Sequence, residues 1–267
     1  MAIVPPTSRT VPNQTLISLT LAGLIATIWL ILHVYGVYFH RWSYLSVVTA
    51  PVIVTIQTWL SVGLFIVAHD AMHGSLAPGR PRLNVAIGAL ALGLYAGFRF
   101  KPLKIAHYAH HAAPGTADDP DFHADAPRTF APWFYRFFRT YFGWREMGVL
   151  TILVGVAVFI FGAHISNLLV FWAAPALLSA LQLFTFGTWL PHRHTDEAFP
   201  DHHNARTSRF GTALSLLSCF HFGRHHEHHL TPWKPWWRLS RAEGLSETRV
   251  CDGGLTRTSI RRVDTTD

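Results

Sequence analysis

Residues 42–73 read WSYLSVVTAPVIVTIQTWLSVGLFIVAHDAMH. From Trp42 to Ala68 there is no Asp, Glu, Lys or Arg, and about 20 apolar residues suffice for a helix to cross a bilayer. The run passes without a break into His69-Asp-Ala-Met-His73. On a continuing helix, positions four apart face the same way, and neutral imidazole is the commonest side-chain metal ligand. The stretch therefore predicts a membrane helix that carries a pair of metal ligands out of the bilayer.

The rest of the chain repeats both halves of that pattern. Charge is also absent from Thr10 to Phe39, from Leu83 to Phe98 and from Met147 to Pro191. The first of these fits one span, and the last fits two with a tight turn at His164–Asn167. The predicted spans are 15–38, 45–68, 147–164 and 168–190. Leu83–Phe98 is different: sixteen helical residues rise about 24 Å, less than the hydrocarbon thickness of about 30 Å. It reads as a re-entrant, interfacial or buried helix. The fold class is thus all-α: four transmembrane helices plus this short helix, with a histidine-rich two-metal cap. The first span follows Pro5, Pro6, Arg9 and Pro12, with no small-residue cleavage site after Leu32; it reads as an uncleaved signal-anchor.

Composition agrees. Half of the residues are apolar and 14% are charged, against the quarter typical of soluble domains. The net charge is +7, and Lys and Arg gather in Arg80–Arg145 and from Arg193 onward. The positive-inside bias puts those segments and both termini in the cytoplasm, which implies the inner membrane. The basic excess suits anionic lipid and calls for no nucleic acid. The two cysteines, Cys219 and Cys251, form no C-x-x-C pair and cannot hold an iron–sulfur cluster, which takes about four thiolates. Residues 1–245 read as a single domain and 246–267, polar and rich in Thr, Arg and Asp, as a disordered tail. The aromatic run from Trp133 to Trp144 suggests an amphipathic helix in the interface.

The chain holds 18 histidines. Beside His69 and His73 stand His107, His110 and His111, then His192 at the end of the last span, then His225, His228 and His229. His110 and His111 diverge by about 100° around a helix, so one helix can serve two ions. Nine imidazoles are too many for one ion and suit two at four or five each. Zinc sites take three or four protein ligands, so this number favours a two-metal redox centre over a zinc hydrolase. Asp70 and Glu227 lie inside the motifs, placed to accept the distal N–H of a ligand and fix its tautomer. Asp118, Asp119 and Asp121 are further candidates for that task; His203 and His226 are candidates to support the ligands. The plain alternative, nine solvated surface histidines, does not explain three boxes with the same ligand spacing.

These boxes resemble the membrane fatty acid desaturase/hydroxylase superfamily, with H-D-x-x-H, two H-x-x-H-H sequences and four spans. The finer resemblance is to bacterial β-carotene ketolases. It is carried by His69–Gly74, His107–Gly115 with Thr116–Phe122, Thr188–Arg193, Asp201–Arg206 and His221–Leu239, and covers roughly residues 15–240. Some desaturases have an Asn four residues before the lone histidine; here Thr188 stands there, with a hydroxyl that can hold a water. The resemblance implies two nonhaem iron ions, O2 as co-substrate, and β-carotene or a related carotenoid oxidised at ring C4 by two hydroxylations and loss of water. It also implies a soluble electron donor such as ferredoxin with its reductase. A carotenoid C3 hydroxylase and a fatty-acyl desaturase or hydroxylase are the alternatives within the class. A metal transporter or haem protein is the alternative outside it, and spans so poor in polar residues disfavour a transporter.

Overall fold

The computed structural model describes residues 12–239; the tail expected at 246–267 lies outside them. Among the described residues the chain is helical, with no strand and one isolated bridge between Thr207 and Arg224. Three helices are long and apolar enough to cross a membrane: α1 (Gln14–Phe39), α2 (Tyr44–His73) and α7 (Ile165–His192). Two bent pairs would bring the number to five if each were one span: α3 (Pro81–Ala96) with α4 (Phe100–Ala112), bent by 99°, and α5 (Phe130–Tyr141) with α6 (Trp144–Phe159), bent by 74°. Three short helices follow: α8 (Thr212–Cys219), α9 (His225–Leu230) and α10 (Trp236–Leu239).

α2 is the frame. Ser43 and Ser46 form a reciprocal cap at its start, and Gly74, in the left-handed region at φ 74°, ends it. Its 30 residues span about 45 Å, so it outruns the hydrocarbon core. α1, α3 and α7 pack along it. Trp29 on α1 donates to Ser61 on α2 at 2.9 Å. The outward faces stay apolar, with Leu16 65%, Val48 71% and Phe159 86% exposed, as suits contact with lipid.

The short connections gather at one end. Trp42 donates to Asn167 at 2.8 Å, and the Asn167 amide donates to the carbonyls of Val37 and His40. This ties the α1–α2 turn to the start of α7. α7 begins at Ile165, so the reversal expected at 164–167 falls just before it. At the span expected at 147–164 stands α6, whose 16 residues rise about 24 Å, too short to cross alone; it reaches spanning length only together with α5 across their bend.

The histidines gather at the other end, and α3 and α4 explain how. Asn84 exchanges hydrogen bonds with Ala77, at 3.1 and 2.7 Å, and starts α3 directly beside the end of α2. α3 then packs against α2. The sharp bend into α4 brings Phe100 back against Gly88, where a Cβ would lie 2.2 Å from its ring and 3.0 Å from Ala71. Only glycine permits that return. Leu83–Phe98 is therefore a helix laid on α2 whose continuation brings His107–His111 to the level of His69 and His73.

Candidate metal centre

Nine imidazoles meet in two groups. His69, His73, His107, His111 and His228 form one; His110, His192, His225 and His229 form the other. Within each group one nitrogen per ring lies within 4.8 Å of all the others. Helix geometry divides them. On α4, His107 and His111 are four apart and face one group, while His110 turns to the other. On α9, His225 and His229 are four apart, and His228 turns away. α7 delivers His192 through a π-helical turn, Thr185–Trp189; such turns re-aim the residues that follow.

The close approaches are between like atoms. Nε2 of His73 lies 2.7 Å from Nε2 of His107. The same atoms of His111 and His228 are 3.0 Å apart, of His110 and His229 3.2 Å, and of His225 and His229 3.1 Å. Nε2 of His69 and of His192 are buried with no hydrogen-bond partner. A neutral imidazole has one N–H, so each approach is at most one N–H···N bond, and the inward nitrogens of His69 and His192 have none. Protonation is a poor remedy: burial, then the charges of neighbouring imidazoles, holds His225, His228 and His229 well below the ordinary histidine range. A metal ion supplies the missing partner. With bonds of about 2.1 Å, neighbouring ligands of an octahedral ion sit about 3.0 Å apart, which matches the four approaches. The two groups fit a metal site.

Groups behind the rings set the tautomers of the second set. His110 Nδ1 donates to Asp119 at 2.9 Å, and His192 Nδ1 donates to the Asn204 carbonyl at 2.7 Å. Both leave an Nε2 lone pair facing inward. Asp119 also accepts from the backbone of Gly115 and Asp121, each at 2.8 Å. Burial pushes its pKa up, but the His110 bond outweighs this and holds it below the usual range. Asn204 further donates to Pro114 at 3.0 Å and packs on Gly115, whose φ of 67° is left-handed. One residue thus clamps both α7 and the turn after α4. Nothing in the chain pattern singled out Asn204.

The supporting residues expected from sequence sort unevenly. Asp118 is exposed and its buried neighbour Asp119 makes the contact; adjacent in sequence, they differ only in which side of the turn at Ala113–Thr116 they face. Glu227 is drawn to Arg224, at 3.4 Å. Asp70 accepts from the Trp236 backbone at 3.0 Å and stands 3.7 Å from His69 Nδ1, so its hydrogen bond anchors the α10 segment. His226 and His203 both bond to Asp201, at 2.8 and 3.0 Å, and belong to neither the group of five nor the group of four. Burial is the largest single influence on Asp201 and pushes its pKa up, but the bonds from His226 and from the backbone and ring of His203 together outweigh it and lower it to about 2. His221 pairs with Ser215 at 3.1 Å.

A cavity of about 510 Å³ abuts both groups, with His69, His107, His110 and His225 in its wall. Thr188 is also in the wall, as are Met147 on α6 and Leu177 on α7. Much of the rest is aromatic and comes from Phe137–Trp144. The aromatic run that suggests an interfacial helix therefore also shapes this chamber. α5 is held there by Trp133, which donates to the Asp121 carbonyl at 2.7 Å, and by Arg136, which donates to the Phe122 carbonyl. The arrangement suits an apolar molecule brought against the histidine groups.

Comparison with known proteins agrees with this geometry. The fatty acid desaturase family model matches residues 42–150 and 139–259. A β-carotene ketolase of Paracoccus sp. (strain N81106 / MBIC 01143) is 50% identical over 241 residues, 88% of this chain and 96% of its own length. A β-carotene ketolase of Paracoccus sp. (strain PC1) is 49% identical over 86% of this chain and 93% of its own. A zeaxanthin 4-ketolase of Chlamydomonas reinhardtii is 36% identical over 88% of this chain and 55% of its own. No solved structure matches.

Proposed function

The chain belongs to the fatty acid desaturase family, and on that premise we propose that it is a membrane oxygenase that converts the ring C4 methylene of β-carotene to a ketone. The observation that carries this reading is the apolar cavity ending on both histidine groups. A polyene dissolved in the bilayer needs such a path, and the likeness to β-carotene ketolases over most of both chains names the polyene.

His69, His73, His107, His111 and His228 would hold one iron, and His110, His192, His225 and His229 the other. When bound, the irons supply the redox chemistry that activates O2 toward an allylic C–H bond. The chain's own part is positional. Asp119 and the Asn204 carbonyl keep His110 and His192 in the tautomer that presents Nε2. Phe137, Phe138 and Phe142 exclude water and hold the ring edge-on, and Thr188 offers a hydroxyl at the cavity wall. Two oxygenations at one carbon each take one O2, two electrons and two protons, place one oxygen in a C–H bond, and release one water. The resulting geminal diol loses water to give the ketone. Electrons come from a separate soluble donor such as a ferredoxin with its reductase, steered to the basic face.

For topology we read α1, α2 and α7 as crossing the inner membrane, with the bent pair α5–α6 making the fourth crossing and α3 and α4 dipping in and returning. The convergence of all nine histidines at one end supports this reading, and the basic segments beside them favour the cytoplasmic side. Residues 1–245 then form one oxygenase domain. The test is pigment analysis in cells that make β-carotene: a monoketone should accumulate first, then a diketone, dependent on O2. Hydroxyl groups at C3 would make this a ring hydroxylase, and unchanged carotene with altered fatty acids would make it an acyl-lipid enzyme.

A further inference from the structure

Two acceptors in the cavity wall carry oxygen lone pairs that a hydrocarbon guest cannot use. Asp121 and Tyr141 line the chamber beside His107 and His110, among Phe137, Phe138 and Phe142. The Tyr141 hydroxyl donates to Asp121 Oδ1, which leaves its own oxygen lone pairs free. Asp121 Oδ2 lies 3.8 Å from His110 Nδ1, beyond hydrogen-bond reach. The contrast with Asp119 is direct: that carboxylate is saturated by His110 and two backbone amides. The pair is also held in place. The Asp121 amide donates to Asp119 and its carbonyl accepts from Trp133, which fixes the Asp121 backbone beside the cavity.

A ketone at C4 requires the same carbon to be oxygenated twice. After the first round the guest is an alcohol, still apolar enough to diffuse back into lipid. We propose that Asp121 and Tyr141 form a hydroxyl-binding subsite that retains the 4-hydroxy intermediate until the second oxygenation. The subsite rests on the ketone-forming reading above. The alcohol donates to Asp121 Oδ2 or to the Tyr141 oxygen, a bond the parent hydrocarbon cannot make. The Asp121–Tyr141 bond satisfies the pair in the meantime, so the parent ring still enters.

The test compares holoenzyme in membranes supplied with β-carotene and a reduced donor. Tyr141→Phe should raise the released 4-hydroxy product relative to ketone about tenfold. Asp121→Asn, which keeps the shape and weakens the acceptor, should shift it the same way about threefold. Tyr135→Phe, exposed on the outer side of α5, should leave the partition as it is. Spectral titration should show the preference for 4-hydroxy-β-carotene over β-carotene falling about tenfold in Tyr141→Phe. Total turnover that falls with an unchanged partition would make Tyr141 a strut for α5 and overturn the subsite. If the wild type oxidises no C4 position, the ketone-forming reading fails by itself. An unchanged binding ratio overturns the subsite whichever reaction proves right.

Discussion

The two histidine groups are built differently. In the group of four every ring is buried, and two of them lean on fixed protein groups, Asp119 and the Asn204 carbonyl. In the group of five only His69 and His228 are buried; His73, His107 and His111 are partly exposed, and their close contacts are mainly with one another. One group is set from behind by hydrogen bonds and the other is assembled by helix packing alone. The lesson is that ligand count and ligand stiffness are separate properties: the richer group is the softer one.

The largest effect expected is loss of a ring from either group. His110→Ala and His228→Ala should each cut turnover more than about 100-fold, since even the groups behind metal ligands are worth 10–100-fold. His164→Ala, an exposed residue at the far end, should stay within about twofold. Equal losses in all three, measured as ketone formed per unit of folded protein, would dissolve the two-group picture.

Next comes the stiffening itself. Asp119→Asn should lower metal content and turnover by about 10–100-fold, while exposed Asp118→Asn changes neither. A null result for Asp119 would mean that His110 is held by packing, as the group of five is.

Graded chelation sharpens the same contrast. The first equivalent of metal should leave about tenfold faster than the second, from the softer and more accessible group. Release in a single phase would show the two groups to be equivalent.

The smallest effect lies outside both groups. Asp201 has its pKa lowered, so its bonds to His226 and His203 contribute fully above the unfolded carboxylate pKa of about 3.9 and fade as pH falls toward about 2. The carboxylate is partly exposed, so the gain is modest. Asp201→Asn should lower the melting temperature by a degree or two at pH 7, with the difference closing below pH 4. A constant difference at all pH values would assign the loss to packing of the 193–211 segment.

Much of this was legible in the chain and some was not, for physical reasons. The nine rings announce themselves because ligands on helices must repeat at three and four, and because each set borders an apolar run. Spacing on α4 and α9 even foretells that His110 and His228 part from their neighbours. Leu83–Phe98 left three placements open, since length and apolarity are the same for a buried and a re-entrant helix; the choice depends on Gly88 admitting Phe100. Asp119 against Asp118, and Asn204, were out of reach because they act through turns and carbonyls, where sequence carries no period. Glu227 stands among the ligands in sequence, and its ion pair is with Arg224 three residues earlier.

α2 carries His69 and His73 on an unbroken rod that starts at Ser43 on the opposite side of the bundle. The height of the metal groups above the acyl chains is therefore a matter of how far that rod protrudes. A thicker bilayer should draw the rings down toward the headgroups, and a thinner one should lift them or tilt the helix. Lipid thickness thereby becomes a setting of the enzyme: it decides how deep in the oil a ring must sit to meet the oxidant, with no change in any side chain.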